Sequence, residues 1–216
     1  GLWTALKIKE KNASTKITII EKDLCGSGAS GRNGGCMIPL SSKFTAMKKI
    51  VGTKDAIKMV KASEEALNEI NKFCDVNDLD AKIRINGIVY SATNNKHRGG
   101  FDDLLRDLND NNLNSWERLS KEKIQKLTGS NRNIDGYFSP IGGSLQPALL
   151  ARGLKRIAEK KGIKIFEHSA MSSYDYNTMI TVHTAHGSVK CKKLVLAINA
   201  WTPSFLSFLS RSVILV

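Results

Sequence analysis

Residues 16–35 constrain the fold of this 216-residue chain more than any other stretch. The run Lys16-Ile17-Thr18-Ile19-Ile20-Glu21 is dense in β-branched side chains, which favour a buried strand, and it closes on an acid. Five glycines then fall within the ten residues Gly26-Ser27-Gly28-Ala29-Ser30-Gly31-Arg32-Asn33-Gly34-Gly35. Glycine lets a main chain take positive φ and come close to a ligand. Ser30 and Asn33 add neutral hydrogen bonds. Arg32 adds a permanent cation with a planar donor fork, suited to a phosphate or an anionic ring edge. A flexible surface loop would rarely combine these residues, although composition alone does not name a ligand.

What precedes the strand sharpens this. Leu2, Ala5 and Leu6, with Ile8 at the margin, give residues 2–11 the pattern of an amphipathic helix, and Asn12-Ala13-Ser14 breaks it. A dinucleotide-binding unit runs strand, glycine-rich turn, helix, strand, with an acid about 20 residues after the glycines. Helix, second strand and acid are present at that spacing; the first strand and first two glycines are not. Gly1 reads as the last glycine of such a turn, and Glu21 as the acid that takes the ribose hydroxyls. Many α/β proteins also have a helix followed by a strand ending in Glu, so this pattern alone leaves both readings open. With no initiator Met and no signal peptide, the start reads as the inside of a helix in a longer protein.

Further along, residues 22–39 read as a loop and 55–73 as a helix. Residues 82–93 read as a hairpin turning at Asn86-Gly87, and 102–113 as a helix. Ser120 is placed to cap a short helix over 121–127. A strand is expected over 134–139. A helix over 146–161 has Pro147 in its first turn and Gly162 after its end. Strands are expected over 163–167, 171–176, 179–184 and 188–191, with a last apolar strand over 193–198 before the turn at Asn199. This order implies a mixed α/β architecture, partly parallel.

Composition excludes little. Lys and Arg total 33 against 20 for Asp and Glu, a formal charge of +13. The basic residues are dispersed, so they read as solvated faces rather than a nucleic-acid surface. No apolar run approaches the roughly 18 residues of a membrane span. Cys25, Cys36, Cys74 and Cys191 lack paired metal-site spacing and read as reduced thiols of a cytoplasmic protein. His183 and His186, three apart in a strand, face opposite ways, so no shared metal is expected.

The N-terminal stretch GLWTALKIKE, followed by ITIIEKDLCGSGASGRNGG, resembles the D-amino-acid oxidase-like FAD-dependent oxidoreductases. It is most similar to the bacterial glycine oxidase, sarcosine oxidase and gamma-glutamylputrescine oxidoreductase branch. The likeness extends through Ile85–Thr93, through Gly142-Gly143-Ser144-Leu145-Gln146-Pro147, and through Leu194-Val195-Leu196-Ala197-Ile198-Asn199-Ala200-Trp201. It implies an α/β fold: a Rossmann-like FAD-binding domain over residues 1–80 and 142–209, with an inserted, incomplete α+β substrate domain over 81–141 and 210–216. It implies FAD as cofactor. Glu21 would bind the adenosine ribose, and Gly1 and Lys22 would also belong to the cofactor site. Ser30, Gly31, Arg32, Asn33, Gly34 and Gly35 would run along the diphosphate and one edge of the isoalloxazine. Met171 would pair its backbone with adenine, in place of the usual Val. Ala197, Asn199, Ala200 and Trp201 would close over the ribityl-diphosphate region. Trp201 also reads as a core aromatic. Cys36 reads as a small buried residue rather than a covalent flavin anchor.

The implied reaction is oxidation of a C–N bond in a small amine or amino acid, by oxidase or dehydrogenase chemistry. Catalytic residues are not assignable, since the family's substrate clamps would lie beyond residue 216. The 216 residues alone are expected not to hold FAD stably. The rival readings are a flavin-dependent tRNA-modifying protein and a non-enzymatic dinucleotide-binding module.

Overall fold

A computed structural model describes residues 1–113 and 115–212. They divide into two compact units. The first is formed by residues 1–32 together with the chain from 148 onward, and the second by residues 33–147. The second unit is therefore an insertion in the first.

The first unit opens with α1 (Leu2–Lys11), β1 (Thr18–Ile20) and α2 (Ala29–Arg32). The insertion contributes β2 (Cys36–Met37), a 3-10 turn at Leu40–Lys43, α3 (Phe44–Val51), α4 (Thr53–Val76) and β3 (Ile88–Ala92). It continues through α5 (Asp102–Asp110), β4 (Glu117–Leu119), α6 (Lys121–Thr128), β5 (Asp135–Ser139) and β6 (Gly143–Ser144). The chain then returns through α7 (Pro147–Lys160), β7 (Lys164–Phe166), β8 (Met171–Tyr176), β9 (Ile180–Thr184) and β10 (Gly187–Cys191), and ends in 3-10 turns from Asn199.

In the first unit β1 and β7 pair in parallel, with Ile19 opposite Ile165 and Ile20 opposite Phe166. Parallel strands need a crossover between them, and here the crossover holds the whole insertion and α7. Helix α7 is amphipathic, burying Ala151, Leu154, Ile157 and Ala158 at spacings of three and four. Its first residue is Pro147, a position that needs no N–H. Strands β8, β9 and β10 form an antiparallel sheet in which alternate residues Ile180 and Val182 are buried.

The second unit has a core of Phe44, Ala56, Val60, Leu104, Leu108, Trp116 and Tyr137, supplied by α3, α4, α5 and the antiparallel sheet β3-β5-β4. Phe101 stands 4.6 Å from Tyr90, 5.9 Å from Trp116 and 5.4 Å from Tyr137 between ring centroids. Two polar tips in this cluster find partners. The Trp116 indole N–H donates to Ser41 Oγ at 3.0 Å, and the Tyr137 hydroxyl donates to Asp102 at 2.7 Å. Burial first, then that hydrogen bond, pushes the Tyr137 hydroxyl up to about 12. Arg118 grips Asp135 through two bonds of 3.0 and 2.9 Å and reaches Asp102 at 3.1 Å. Burial raises the Asp135 carboxyl, but Arg118 and the Gly99 N–H outweigh it and hold the group below its ordinary value.

The long α4, α7, and the capped α6 form where apolar spacing and turn residues indicate. The Ser120 side chain accepts from the Lys123 N–H, as a cap should. Several expectations are corrected. Residues 82–93 are not a hairpin: β3 pairs with β5, while Arg84 bridges to Ser144. Gly87, at φ 92, donates to the Gly142 carbonyl at 3.1 Å, so Asn86-Gly87 marks a change of partner rather than a turn between paired strands. Residues 193–198 form no strand, because an apolar run becomes one only where a neighbouring edge supplies hydrogen bonds. The stretch 22–39 contains the short α2 and β2. Helix α3 and strand β4 lie outside the sequence expectations. Of the expected return at 210–216, residues 213–216 lie outside the described residues. Among the described residues no helix is long and apolar enough to cross a membrane.

Candidate functional site

The parallel pair β1 and β7 places two acids side by side, because each strand is followed directly by Glu: Ile20-Glu21 and Phe166-Glu167. The Glu21 N–H donates to the Phe166 carbonyl at 2.9 Å, and the Glu21 carbonyl accepts from Ser169 at 2.8 Å. The His168 N–H donates to the Asp23 carbonyl at 3.0 Å. Glu21 Oε1 accepts the Asp23 N–H at 3.1 Å, which folds the half-buried carboxylate over the start of the loop.

The segment after β10 joins the two ends of this α–β unit. A Cβ at Gly1 would stand 3.7 Å from Ala197 Cβ, an ordinary contact. The Lys22 ammonium lies 5.8 Å from the centre of the Trp201 ring. Ala197 and Trp201 are separated by about 14 Å of chain even when fully extended. One short segment therefore touches both the leading end of α1 and the residue after Glu21. A helix N-terminus presents unpaired N–H groups and a partial positive charge, which favour anions. Trp201 is 72% exposed, so the core-aromatic reading does not hold. Asn199 takes a left-handed φ of 51, and its carbonyl accepts the Thr202 hydroxyl at 2.6 Å.

The glycine-rich segment is shaped by close approach. Gly26 sits at φ 92, and a Cβ there would come within 2.7 Å of Ala151 Cβ on α7. A Cβ on Gly31 would fall on the Gly26 carbonyl oxygen. Both positions therefore exclude any side chain. Ser30 and Arg32 on α2 are exposed. Asn33, Gly34 and Gly35 belong to the second unit. There Asn33 Oδ1 accepts the Gly35 N–H at 2.9 Å, and the Gly35 carbonyl accepts from Leu145 at 2.9 Å. Asn33 and Gly34 line a shallow cleft with Lys82, Arg84, Ser144 and Gln146. Met171 opens β8 opposite Thr184. Ala200 is half-buried in the 3-10 turn. Cys36, expected to be buried, is exposed.

Some residues of this region were not foreseen from the sequence. Glu167 receives the Cys25 N–H at 2.7 Å and the Lys155 ammonium at 2.6 Å. The Lys155 hydrogen bond first, then the Cys25 N–H, hold its carboxyl below the usual range. Burial, then Glu167, pushes the Cys25 thiol up to about 11. The repetition of an apolar strand closing on Glu, at residues 16–21 and 163–167, was the available signal. Lys82 and Arg84 gave none, since nothing local ties them to Asn33.

Solved structures share this fold. Glycine oxidase from Geobacillus kaustophilus superposes with a TM-score of 0.76 at 16% identity, covering 96% of this chain and 54% of its own. Over about half of that protein's length the fold is thus the one seen in glycine oxidase, here a mixed α/β chain in two compact units. Among curated sequences, the chain is 27% identical over 207 residues to "Probable oxidoreductase OrdL" of Haemophilus influenzae, covering 93% of this chain and 47% of that protein. It is 26% identical over 202 residues to gamma-glutamylputrescine oxidoreductase of Escherichia coli, again covering 93% and 47%. The chain spans about half the length of these curated relatives. Residues 1–215 match the family described as FAD dependent oxidoreductase, and the chain belongs to that family. FAD is the cofactor of the family.

Proposed function

We propose that this chain supplies part of the FAD-binding unit of an oxidoreductase that oxidises a C–N bond in a small amine or amino acid. The supporting observation is that the segment 197–201 meets both Gly1, at the head of α1, and Lys22, next to Glu21. The residues fit the group. The head of α1 offers N–H donors to a diphosphate, and Glu21 offers a carboxylate to ribose hydroxyls. Arg32 and Ser30 are exposed as a cation and a hydroxyl, and Gly34 has nothing within 4 Å of where a Cβ would stand.

In this reading Glu21 holds the adenosine ribose, Gly1 stands at the diphosphate turn with Lys22 beside the cofactor, and residues 30–35 run along the diphosphate and the ring edge. Met171 offers backbone to adenine. Ala197, Asn199, Ala200 and Trp201 close over the ribityl-diphosphate stretch. The FAD-binding domain comprises residues 1–80 and 142–209, and the substrate domain starts from 81–141 and 210–216. That division assigns roles and differs from the compact units, which part after Arg32 and after Pro147. Held by these residues, FAD would supply the two-electron oxidation of the carbon beside the substrate nitrogen, and water would convert the resulting imine to a carbonyl compound and an amine. The chain's own residues orient and neutralise: Arg32 supplies fixed positive charge, and Ser30 and Asn33 direct hydrogen bonds.

The test uses the full-length protein. It is expected to purify with FAD, and an amine such as gamma-glutamylputrescine, sarcosine or glycine is expected to bleach the flavin absorbance without oxygen. Oxygen uptake on turnover separates oxidase from dehydrogenase. A full-length protein that binds no flavin, or whose flavin no amine or amino acid reduces, would overturn the proposal.

A further inference from the structure

Resting on that reading, we infer that Glu167 is a positioning residue that sets the path of residues 21–32 toward the cofactor. It does so by holding the Cys25 main-chain N–H against α7.

Because β1 and β7 run parallel and in register, the chain leaves both strands at the same end. Backbone hydrogen bonds from Glu21, His168 and Ser169 stitch the two exits together. Those bonds leave Cys25 and Gly26 to be placed by something else, and Glu167 supplies it. One carboxylate oxygen takes the Cys25 N–H at 2.7 Å, and the other takes the Lys155 ammonium at 2.6 Å. The Glu167 and Lys155 side chains are only 18% and 28% exposed, so water competes weakly for either bond. Lys155 lies one helical turn beyond Ala151, the residue against which Gly26 packs without a side chain. The loop is therefore held to α7 at two adjacent points, one by charge and one by shape.

The consequence travels along the chain. With Cys25 and Gly26 fixed, the Gly26 carbonyl stands where it admits only glycine at position 31. Gly31 lies between Ser30 and Arg32, whose side chains are exposed. Turning the Cys25 peptide moves the Gly26 carbonyl and with it the seat of α2. Glu167 thus acts on a ligand through Cys25, Gly26 and Gly31.

The test compares Glu167→Ala and Glu167→Gln in the full-length protein. Two readouts are used: FAD affinity of the apoprotein, and hydrogen exchange of the peptide spanning residues 21–32. Glu167→Ala removes the acceptor. A charge-assisted hydrogen bond of this kind corresponds to roughly a 10- to 100-fold loss of FAD affinity, with faster exchange confined to 21–32. Glu167→Gln keeps one acceptor oxygen, for which the Cys25 N–H and the Lys155 ammonium compete, and is expected to recover part of the affinity, which a bulk structural defect would not show. If Glu167→Ala does not fold, Lys155→Met together with Glu167→Gln gives the same comparison: the affinity loss should stay under about 10-fold while an acceptor is present. FAD affinity unchanged in Glu167→Ala, or equal large losses in Ala and Gln variants, would overturn the inference. Absence of FAD from the wild-type full-length protein would instead overturn the proposed function.

Discussion

Substituting Gly26 by Ala tests the close approach between the glycine-rich segment and α7. Gly26 sits at φ 92, where a side chain costs roughly 1–2 kcal/mol. The new Cβ would also come within 2.7 Å of Ala151 Cβ, an overpacking that costs roughly 1–3 kcal/mol in a well-packed region. The sum is a loss of about 2–5 kcal/mol, measured as a fall in the urea midpoint at constant slope. The shape argument then predicts a coupling. Ala151→Gly alone should cost about 1 kcal/mol, because glycine weakens a helix interior. In the double variant the clash is gone, so the two losses should fall short of additivity by about 1–3 kcal/mol. Flavin titration of the full-length variants should follow the same order. A double-mutant cycle with no coupling would refute the claim that Gly26 is required by its approach to Ala151, and would leave only its φ as the reason for glycine.

Asp135→Asn, in the second unit, should cost about 1–3 kcal/mol by removing a charged acceptor from Arg118 and Gly99. Because the folded Asp135 carboxyl is held low, its contribution is present above the unfolded carboxylate range and is lost as pH falls through the folded value. The acid limb of unfolding midpoint against pH should therefore flatten in the variant. Cys25, buried and with its thiol pushed up to about 11, should alkylate far more slowly than the exposed Cys36 at about pH 8, as mass spectrometry of labelled peptides would show. The 216 residues expressed alone, spanning about half the length of their curated relatives, should purify with far less than one flavin per chain; stoichiometric flavin absorbance would contradict this.

Much of the fold was legible from local pattern. The periodicity of α1, α4 and α7 shows in the spacing of Ala5 and Leu6, of Ala56 and Val60, and of Ala151, Leu154 and Ala158. Ser120 and Pro147 mark helix starts because caps are local chemistry. Strand β1, with Glu21 at its end, and the glycine density that follows are equally local. These features suffice to indicate a mixed α/β unit with an anion-friendly helix end. The pairing of strands was not legible in the same way. Alternation tells which face of Ile88–Ala92 is apolar, but not that its partner is Asp135–Ser139 rather than the residues just before it. Residues 193–198 carry a strand's composition and yet find no edge to join.

Tertiary structure also decided which residues share a site. Sequence by itself determined the donors, the acids and the glycines around residues 21–35. Only the folded chain brought Trp201 to Lys22, Ala197 to Gly1, and Glu167 with Lys155 to the Cys25 N–H. The physical reason is that propensity and capping act within a few residues along the chain. A hydrogen bond across 142 residues forms only once two parallel strands have been set in register.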